Sequence, residues 1–223
     1  MNTYGLLITA YSRVDYLQQC FQSLFEANLP DNLKILVIDD CSPEPEVWKA
    51  IQEFKVIIRD KNPFISCFYY RMLENSKIRK CLQTGIEILF KEDCDIVMNL
   101  DADAIVKENF YQIISALKKK HPDNIVSGFN NINHGNKIIH QYDDSAAKAY
   151  LNGINACFDK PLYDKYIQPQ LLKEGNWDYN TSLACREDNK PFFVTTPSTV
   201  DHIGIVSSMG HGTGVQADTA YDF

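Results

Sequence analysis

Nowhere do the 223 residues offer the ~20 consecutive apolar positions of a membrane span. The opening "MNTYGLLITAYSR" has neither a basic leader nor a cleavage site, so no signal peptide is expected. Positive charge is in deficit, with 22 Lys and Arg against 29 Asp and Glu, a net charge of −7 and a pI near 5.2. That balance argues against nucleic acid as a main partner. The seven cysteines (Cys20, Cys41, Cys67, Cys81, Cys94, Cys157 and Cys185) are scattered, odd in number and never closely paired. This excludes a disulfide framework or zinc ribbon and suits reduced, buried thiols in a cytoplasm. Linker-like Pro/Gly/Ser tracts, repeats and low-complexity segments are also missing. What is present is the composition of an ordinary soluble protein with enough chain for a substantial core.

The chain alternates between two periodicities. "YGLLITAY", "LKILVIDD", "FISCFYYRM" and "CDIVMNLDAD" are short apolar runs that predict strands. Between them "VDYLQQCFQSLFEANL", "EPEVWKAIQEFKV" and "SKIRKCLQTGIEILFKE" carry apolar residues at helical spacing. This βαβαβαβ order predicts an α/β domain with a mainly parallel sheet and helices on both faces. Beyond Lys120, "NIVSGFNN" and "KPFFVTTPSTV" read as strands, and "PLYDKYIQPQLLK" and "NWDYNTSLACRED" as helices. With no linker, a single domain over 1–223 is expected.

Three polar clusters stand at predicted strand ends: "TAYSR" (Thr9 to Arg13), "DDCS" (Asp39 to Ser42) and "DAD" (Asp101 to Asp103). Ligands of open parallel sheets bind outside the carboxyl ends of the strands, so three such clusters are better explained by one ligand than by three turns. Asp101 and Asp103 would point the same way if the strand stayed extended. Two adjacent carboxylates repel unless a cation lies between them, and a hard divalent ion is the obvious candidate. The alternative is a polar turn capping the helix "KENFYQIISALKKK".

At this point the residues carry a family resemblance. "LLITAYSRVDYLQQCFQSLFEANLPDNLKILVIDDCS" resembles the opening of the GT-A nucleotide-sugar glycosyltransferases, particularly the large inverting group whose prototype is a spore-coat polysaccharide enzyme. "LDADAIV" looks like that fold's Asp-x-Asp motif. The resemblance implies a Rossmann-like GT-A fold, with a nucleotide-binding half over 1–110 and an acceptor-binding half over 111–223. It also implies transfer of a sugar from a UDP-sugar to a hydroxyl of a glycan or glycoconjugate, with Mn²⁺ or Mg²⁺ as cofactor.

Carried over position by position, Thr9, Tyr11 and Arg13 match the first-strand loop that packs on uracil and ribose. Asp40 matches the carboxylate that accepts the pyrimidine N–H, while Asp39 is open to a structural role. Arg79 matches a basic residue near the nucleotide, with Lys77 as its rival. "KCLQTG" departs from the family's common "ARN-x-G". In Asp101-Ala102-Asp103, Asp103 matches the direct metal ligand and Asp101 the residue that contacts ribose or a metal-bound water. His202, five residues past Pro197, matches a histidine that completes the metal site, and His211 is a weaker candidate for covering the diphosphate. Asp178, nineteen residues before Pro197, matches the general base, although Trp177 stands where the family's usual Glu would be. Its rival is the literal pair Glu187-Asp188. "YLNGINACFDK" resembles the segment beside the donor sugar, where Gly153 would allow close backbone approach and Asn152 and Asn155 could bond sugar hydroxyls.

Three other classes remain in view. "DADAI", with "YDDS" at 142–145, also resembles the nucleophile motif of haloacid-dehalogenase-like phosphatases, but that motif normally follows the first strand and continues Gly-Thr. A sugar-nucleotide pyrophosphorylase would need a Gly-rich loop where "TAYSR" has none. A non-catalytic sugar-nucleotide- or glycan-binding module would be expected to lose base and metal ligand together, and both have candidates here.

Overall fold

A computed structural model describes residues 2–131 and 138–204. The first half follows the predicted alternation: β1 (Tyr4–Ala10), α1 (Val14–Glu26), β2 (Leu33–Asp39), α2 (Pro45–Lys61), β3 (Ser66–Arg71), α3 (Lys77–Lys91) and β4 (Ile96–Asp101). Every residue of β1 is buried, as a strand covered on both faces requires. Helix α1 buries Leu17, Cys20, Phe21 and Leu24, one stripe at helical spacing. Helix α2 runs past the predicted end at Val56 because Ile58 continues the buried stripe of Val47, Ala50, Ile51 and Phe54. Pro45 starts it, at the position where a missing N–H is harmless.

The second half comprises β5 (Ala104–Val106), α4 (Phe110–Lys120), β6 (Val126–Ser127), β7 (Ile138–Gln141), β8 (Ser145–Lys148) and β9 (Asn155–Asp159). A helical stretch follows as α5 (Lys160–Leu162), a π-helical turn (Tyr163–Ile167) and α6 (Gln168–Leu171). Then come α7 (Trp177–Glu187), β10 (Phe192–Thr195) and β11 (Val200–His202).

One nine-stranded sheet runs β3-β2-β1-β4-β9-β6-β10-β8-β7. Strands β3, β2, β1 and β4 are parallel, and β9 then joins β4 antiparallel. The antiparallel β7–β8 hairpin on the far edge was not expected from its sequence, since "SAAK" carries little strand signal. A separate two-stranded ribbon pairs β5 with β11 antiparallel. One core packs α1, α2 and α4 on one face of the sheet, including the stacked pair Phe21–Phe54 at 4.0 Å between centroids. The other face is covered by α3, the 160–171 helical stretch and α7, around Leu7, Leu82, Phe158 and Tyr163. Among the described residues no helix is long and apolar enough to cross a membrane.

Candidate active site

The carboxyl ends of β1, β2 and β4 lie side by side, and the register puts Thr9 beside both Ile38 and Asp101. The backbone just beyond these ends is strained. Ser12, Arg13 and Cys41 have positive φ, between 55° and 59°, as does Lys77 at the start of α3, at 68°. Left-handed geometry costs about 1–2 kcal/mol for each non-glycine residue, and such strain tends to gather at functional sites. Here the turns are tied together, because the Ser12 N–H donates to Ser42 Oγ at 2.9 Å and the Ser12 hydroxyl donates to Glu44 at 2.8 Å.

The chain does not stay extended through the two aspartates. β4 ends at Asp101, Ala102 and Asp103 make a turn, and β5 begins at Ala104. The Asp101 N–H is anchored to the Ile154 carbonyl at 3.0 Å. Asp103 Oδ2 accepts from Arg13 Nη1 at 2.8 Å and lies 3.3 Å from His202 Nε2. Pairing of His202 with Ala104 across the β5–β11 ribbon brings the imidazole there, and the Ile203 N–H bonds the Asp103 carbonyl at 2.9 Å.

Gly204 closes the cluster. A Cβ on it would stand 2.2 Å from Asp103 Oδ2 and 2.9 Å from Arg13 Nη2. In the sequence only a glycine following "HI" marks this position. Burial raises the Asp103 carboxyl, but the hydrogen bond and charge of His202 and the charge of Arg13 outweigh it, so its pKa falls below the ordinary carboxylate value. Asp101 goes the other way: burial, then the Asp103 charge, push its pKa up to about 7.

Asp39 is fully buried and holds its own turn together, accepting from the N–H and hydroxyl of Ser42 and pairing with Arg71 Nε at 3.3 Å. Asp40 is 6% exposed, and its Oδ1 accepts the Ser76 N–H at 2.6 Å at the start of α3. Tyr11 is 42% exposed beside this edge. Arg79 sits half-buried in the first turn of α3, and among the described residues it makes no hydrogen bond or ion pair.

Asp178 occupies the first turn of α7. Its Oδ2 accepts the Gly153 N–H at 3.0 Å and its Oδ1 the Tyr179 N–H at 2.8 Å, yet burial dominates and raises its pKa above the ordinary value. A Cβ at Gly153 would meet the Trp177 ring at 2.9 Å. The glycine therefore makes room for the indole that stands in place of the expected Glu. Asn155 is fully buried, donating to the Asn99 carbonyl and accepting the Gly128 N–H, so its amide serves the sheet and not a ligand. Asn152 Nδ2, by contrast, is buried without a hydrogen-bond partner among the described residues. The rival Asp188 caps the opposite end of α7, exposed, where Tyr166 and Lys165 bond it at 2.7 and 2.6 Å. "YDDS" lies at the β7–β8 turn with Asp144 paired to Lys120, on the far edge of the sheet from Asp101. His211 lies outside the described residues.

Among the described residues no group of three or more His, Cys, Asp or Glu side chains is arranged to hold a metal. The pair Asp103 and His202 nevertheless fits a partial site. It offers a carboxylate oxygen and an imidazole nitrogen 3.3 Å apart, a donor set suited to a borderline divalent ion, with Arg13 bonded to the same oxygen.

A parallel nucleotide-type edge joined to an antiparallel half, with a paired-aspartate turn between them, is the architecture of the GT-A glycosyltransferases. The chain belongs to glycosyl transferase family 2, whose sequence profile matches residues 6–185. The matched span includes Asp178 and ends before His202. Solved structures agree in fold. GalNAc-T7 with UDP, GalNAc and Mn²⁺ superposes with a TM-score of 0.69 at 13% identity, over 91% of this chain and 44% of that one. S. aureus TarS 1-349 in complex with UDP-GlcNAc gives 0.64 at 13% identity, over 86% and 55%. The mannosyltransferase PcManGT from Pyrobaculum calidifontis, in complex with GDP-Man and Mn²⁺, gives 0.60 at 13% identity, over 87% and 56%. The chain thus spans about half the length of these structural relatives. A comparison with curated proteins finds no match.

Proposed function

We propose that the chain transfers a sugar from a UDP-sugar to a hydroxyl of a glycan or glycoconjugate, with divalent-metal assistance and inversion at the anomeric carbon. The observation that carries this reading is one edge holding both halves of the chemistry. Asp103 is bracketed by Arg13 and His202, and Asp178 is anchored to Gly153 on the strand-leading segment beside β4. Two of the three superposed structures contain UDP or a UDP-sugar, and two contain Mn²⁺.

In this reading residues 1–110 hold the donor. Thr9, Tyr11, Asp40 and Arg79 line the uridine, and Arg13, Asp101 and the Ala102 turn lie under the ribose and diphosphate. Asp103 and His202 would hold Mn²⁺ or Mg²⁺, which supplies Lewis-acid stabilisation of the departing diphosphate. Asp178 takes the proton of the acceptor hydroxyl as that oxygen attacks the anomeric carbon, and the bond from that carbon to the diphosphate oxygen breaks on the opposite side. A raised pKa suits a carboxylate that must accept a proton near neutral pH. The seven free thiols favour a cytoplasmic location.

The test is a panel of UDP-, GDP- and ADP-sugars, each with Mn²⁺, Mg²⁺ or chelator, read by thermal stabilisation and by release of nucleoside diphosphate. Metal-dependent stabilisation and hydrolysis confined to UDP-sugars are expected. Stabilisation that persists in chelator, or hydrolysis of none of the sugars, would overturn the proposal.

A further inference from the structure

We infer that Tyr179 and Tyr150 form a stacking platform that holds a pyranose ring of the acceptor beside Asp178, an inference that rests on the reading of Asp178 as the base. The two rings lie nearly parallel, 6° apart with centroids separated by 5.9 Å. They come from different elements. Tyr179 follows Asp178 in the first turn of α7, and Tyr150 lies three residues before Gly153.

The geometry is built by the same contacts that fix the base. Tyr179, Ser182 and Arg186 fall at i, i+3 and i+7, one stripe of α7. Two helical turns, about 10.5 Å of rise, separate Tyr179 from Arg186. Tyr150 fills that gap. The Leu151 N–H donates to Ser182 Oγ at 2.9 Å, which pins the segment over the middle of the stripe. Arg186 Nη1 donates to the Tyr150 hydroxyl at 2.8 Å, with the guanidinium 5.4 Å from the ring centroid. The Gly153 N–H then reaches Asp178 Oδ2. Arg186, Tyr150 and Tyr179 therefore make one ordered row, with the half-exposed Tyr179 at its end.

Tyr179 is 50% exposed, and its ring touches no aromatic or cationic group other than Tyr150 among the described residues. A pyranose presents axial C–H bonds on a face and hydroxyls at its rim. Its apolar face packs on an aromatic ring while the rim stays hydrated or hydrogen-bonded, the arrangement for which an amphipathic tyrosine is suited. The segment that stacks Tyr150 on Tyr179 also carries the Gly153 N–H that holds Asp178 Oδ2, so a sugar on the platform would lie along the segment that positions the carboxylate. The platform thus selects a pyranoside acceptor over an acyclic alcohol, and a rigid pair of rings loses little entropy when it binds.

The experiment measures saturation-transfer NMR to methyl β-glucopyranoside and methyl β-N-acetylglucosaminide, with glycerol as the acyclic control. Each is recorded with and without UDP and Mn²⁺, and the thermal shift caused by UDP and Mn²⁺ is recorded on the same samples. Wild type is expected to saturate ring C–H protons of at least one pyranoside and not glycerol. Tyr179→Ala should weaken that binding about 5- to 10-fold, Tyr179→Trp should restore it, and both should keep the nucleotide shift. Equal saturation in wild type and Tyr179→Ala, or none with either pyranoside, would overturn the platform. Loss of the nucleotide shift in wild type, with Tyr179-dependent sugar binding intact, would instead sink the donor reading and leave the platform standing.

Discussion

His202 Nε2 stands 3.3 Å from Asp103 Oδ2, two side chains from opposite halves of the chain joined through the β5–β11 ribbon. Arg13 reaches the same oxygen from the loop after β1. The aspartate is the shared point of three distant segments, so its removal has a definite consequence.

Asp103→Ala should abolish metal-dependent UDP binding while leaving the fold intact, because the residue ends a turn and is outside both apolar cores. His202→Ala should weaken the same binding by less, since a water can replace a neutral ligand. Isothermal calorimetry with UDP and Mn²⁺ checks both. Undiminished metal-dependent binding in Asp103→Ala would reduce "LDADAIV" to a polar turn.

Asp101 gives a pH signature in metal-free protein. Its pKa rises from the ordinary 3.8 to about 7 on folding, so between those values the folded chain keeps a proton that the unfolded chain has lost. Stability should therefore fall as pH rises toward 7, with the full penalty above it. Asp101→Asn removes the penalty and should stabilise the metal-free protein at pH 8 by on the order of 1–3 kcal/mol, a few degrees in Tm. At pH 4 the two proteins should melt almost together. A Tm difference that is the same at both pH values would discard this account.

Asp40 bears on base identity. Its Oδ1 accepts the Ser76 N–H, and the Cys81 thiol bonds the same carboxyl, so a ligand donor would have to join an acceptor already held in place. With Mn²⁺ present, UDP should stabilise the protein clearly more than GDP or ADP at equal concentration, because a buried acceptor left unpaired by the wrong base discriminates strongly. Asp40→Ala should level the three. Equal shifts in wild type would mean that metal and diphosphate do the binding.

The mechanism rests on Asp178. Asp178→Asn keeps shape but cannot accept a proton, so transfer to the true acceptor should drop by about 10²–10⁴ while donor affinity survives. In wild type kcat/KM should fall as pH drops through the raised pKa of this carboxyl. Asp188→Asn should leave transfer nearly unchanged, since that side chain caps the far end of α7 on the surface. The product should show inverted anomeric configuration by NMR. A dead Asp188→Asn enzyme or a retained configuration would remove Asp178 from the role.

Gly153→Ala links packing to chemistry. The added methyl meets the Trp177 indole at 2.9 Å, and displacing that ring costs about 1–3 kcal/mol. Because the same residue donates to Asp178, transfer should fall further than thermal stability alone explains. Parallel melting and initial-rate measurements separate the two effects.

The sequence by itself determined what depends on neighbours in the chain. The apolar run of β1 and the stripes of α1 and α3 specify burial within a few residues, and so the alternating first half was legible. So were the polar clusters at strand ends, since a carboxylate after an apolar run marks a strand end wherever the strand lies. Tertiary structure decided what depends on distant register. The β4 strand turns at Ala102, contrary to the extended reading, because β5 must pair with β11. Gly204 crowds Asp103, Trp177 fills the space above Gly153, and Asn155 is drawn into the Asn99 network, each through a contact between residues well separated in the chain. The short strands β7 and β8 form at the sheet edge although "SAAK" has little strand propensity, because β8 pairs with β10 and β7 with β8, which satisfies their backbone hydrogen bonds. Local periodicity encodes which face of an element is buried. Which residues meet across the sheet is set by the packing of all the elements at once.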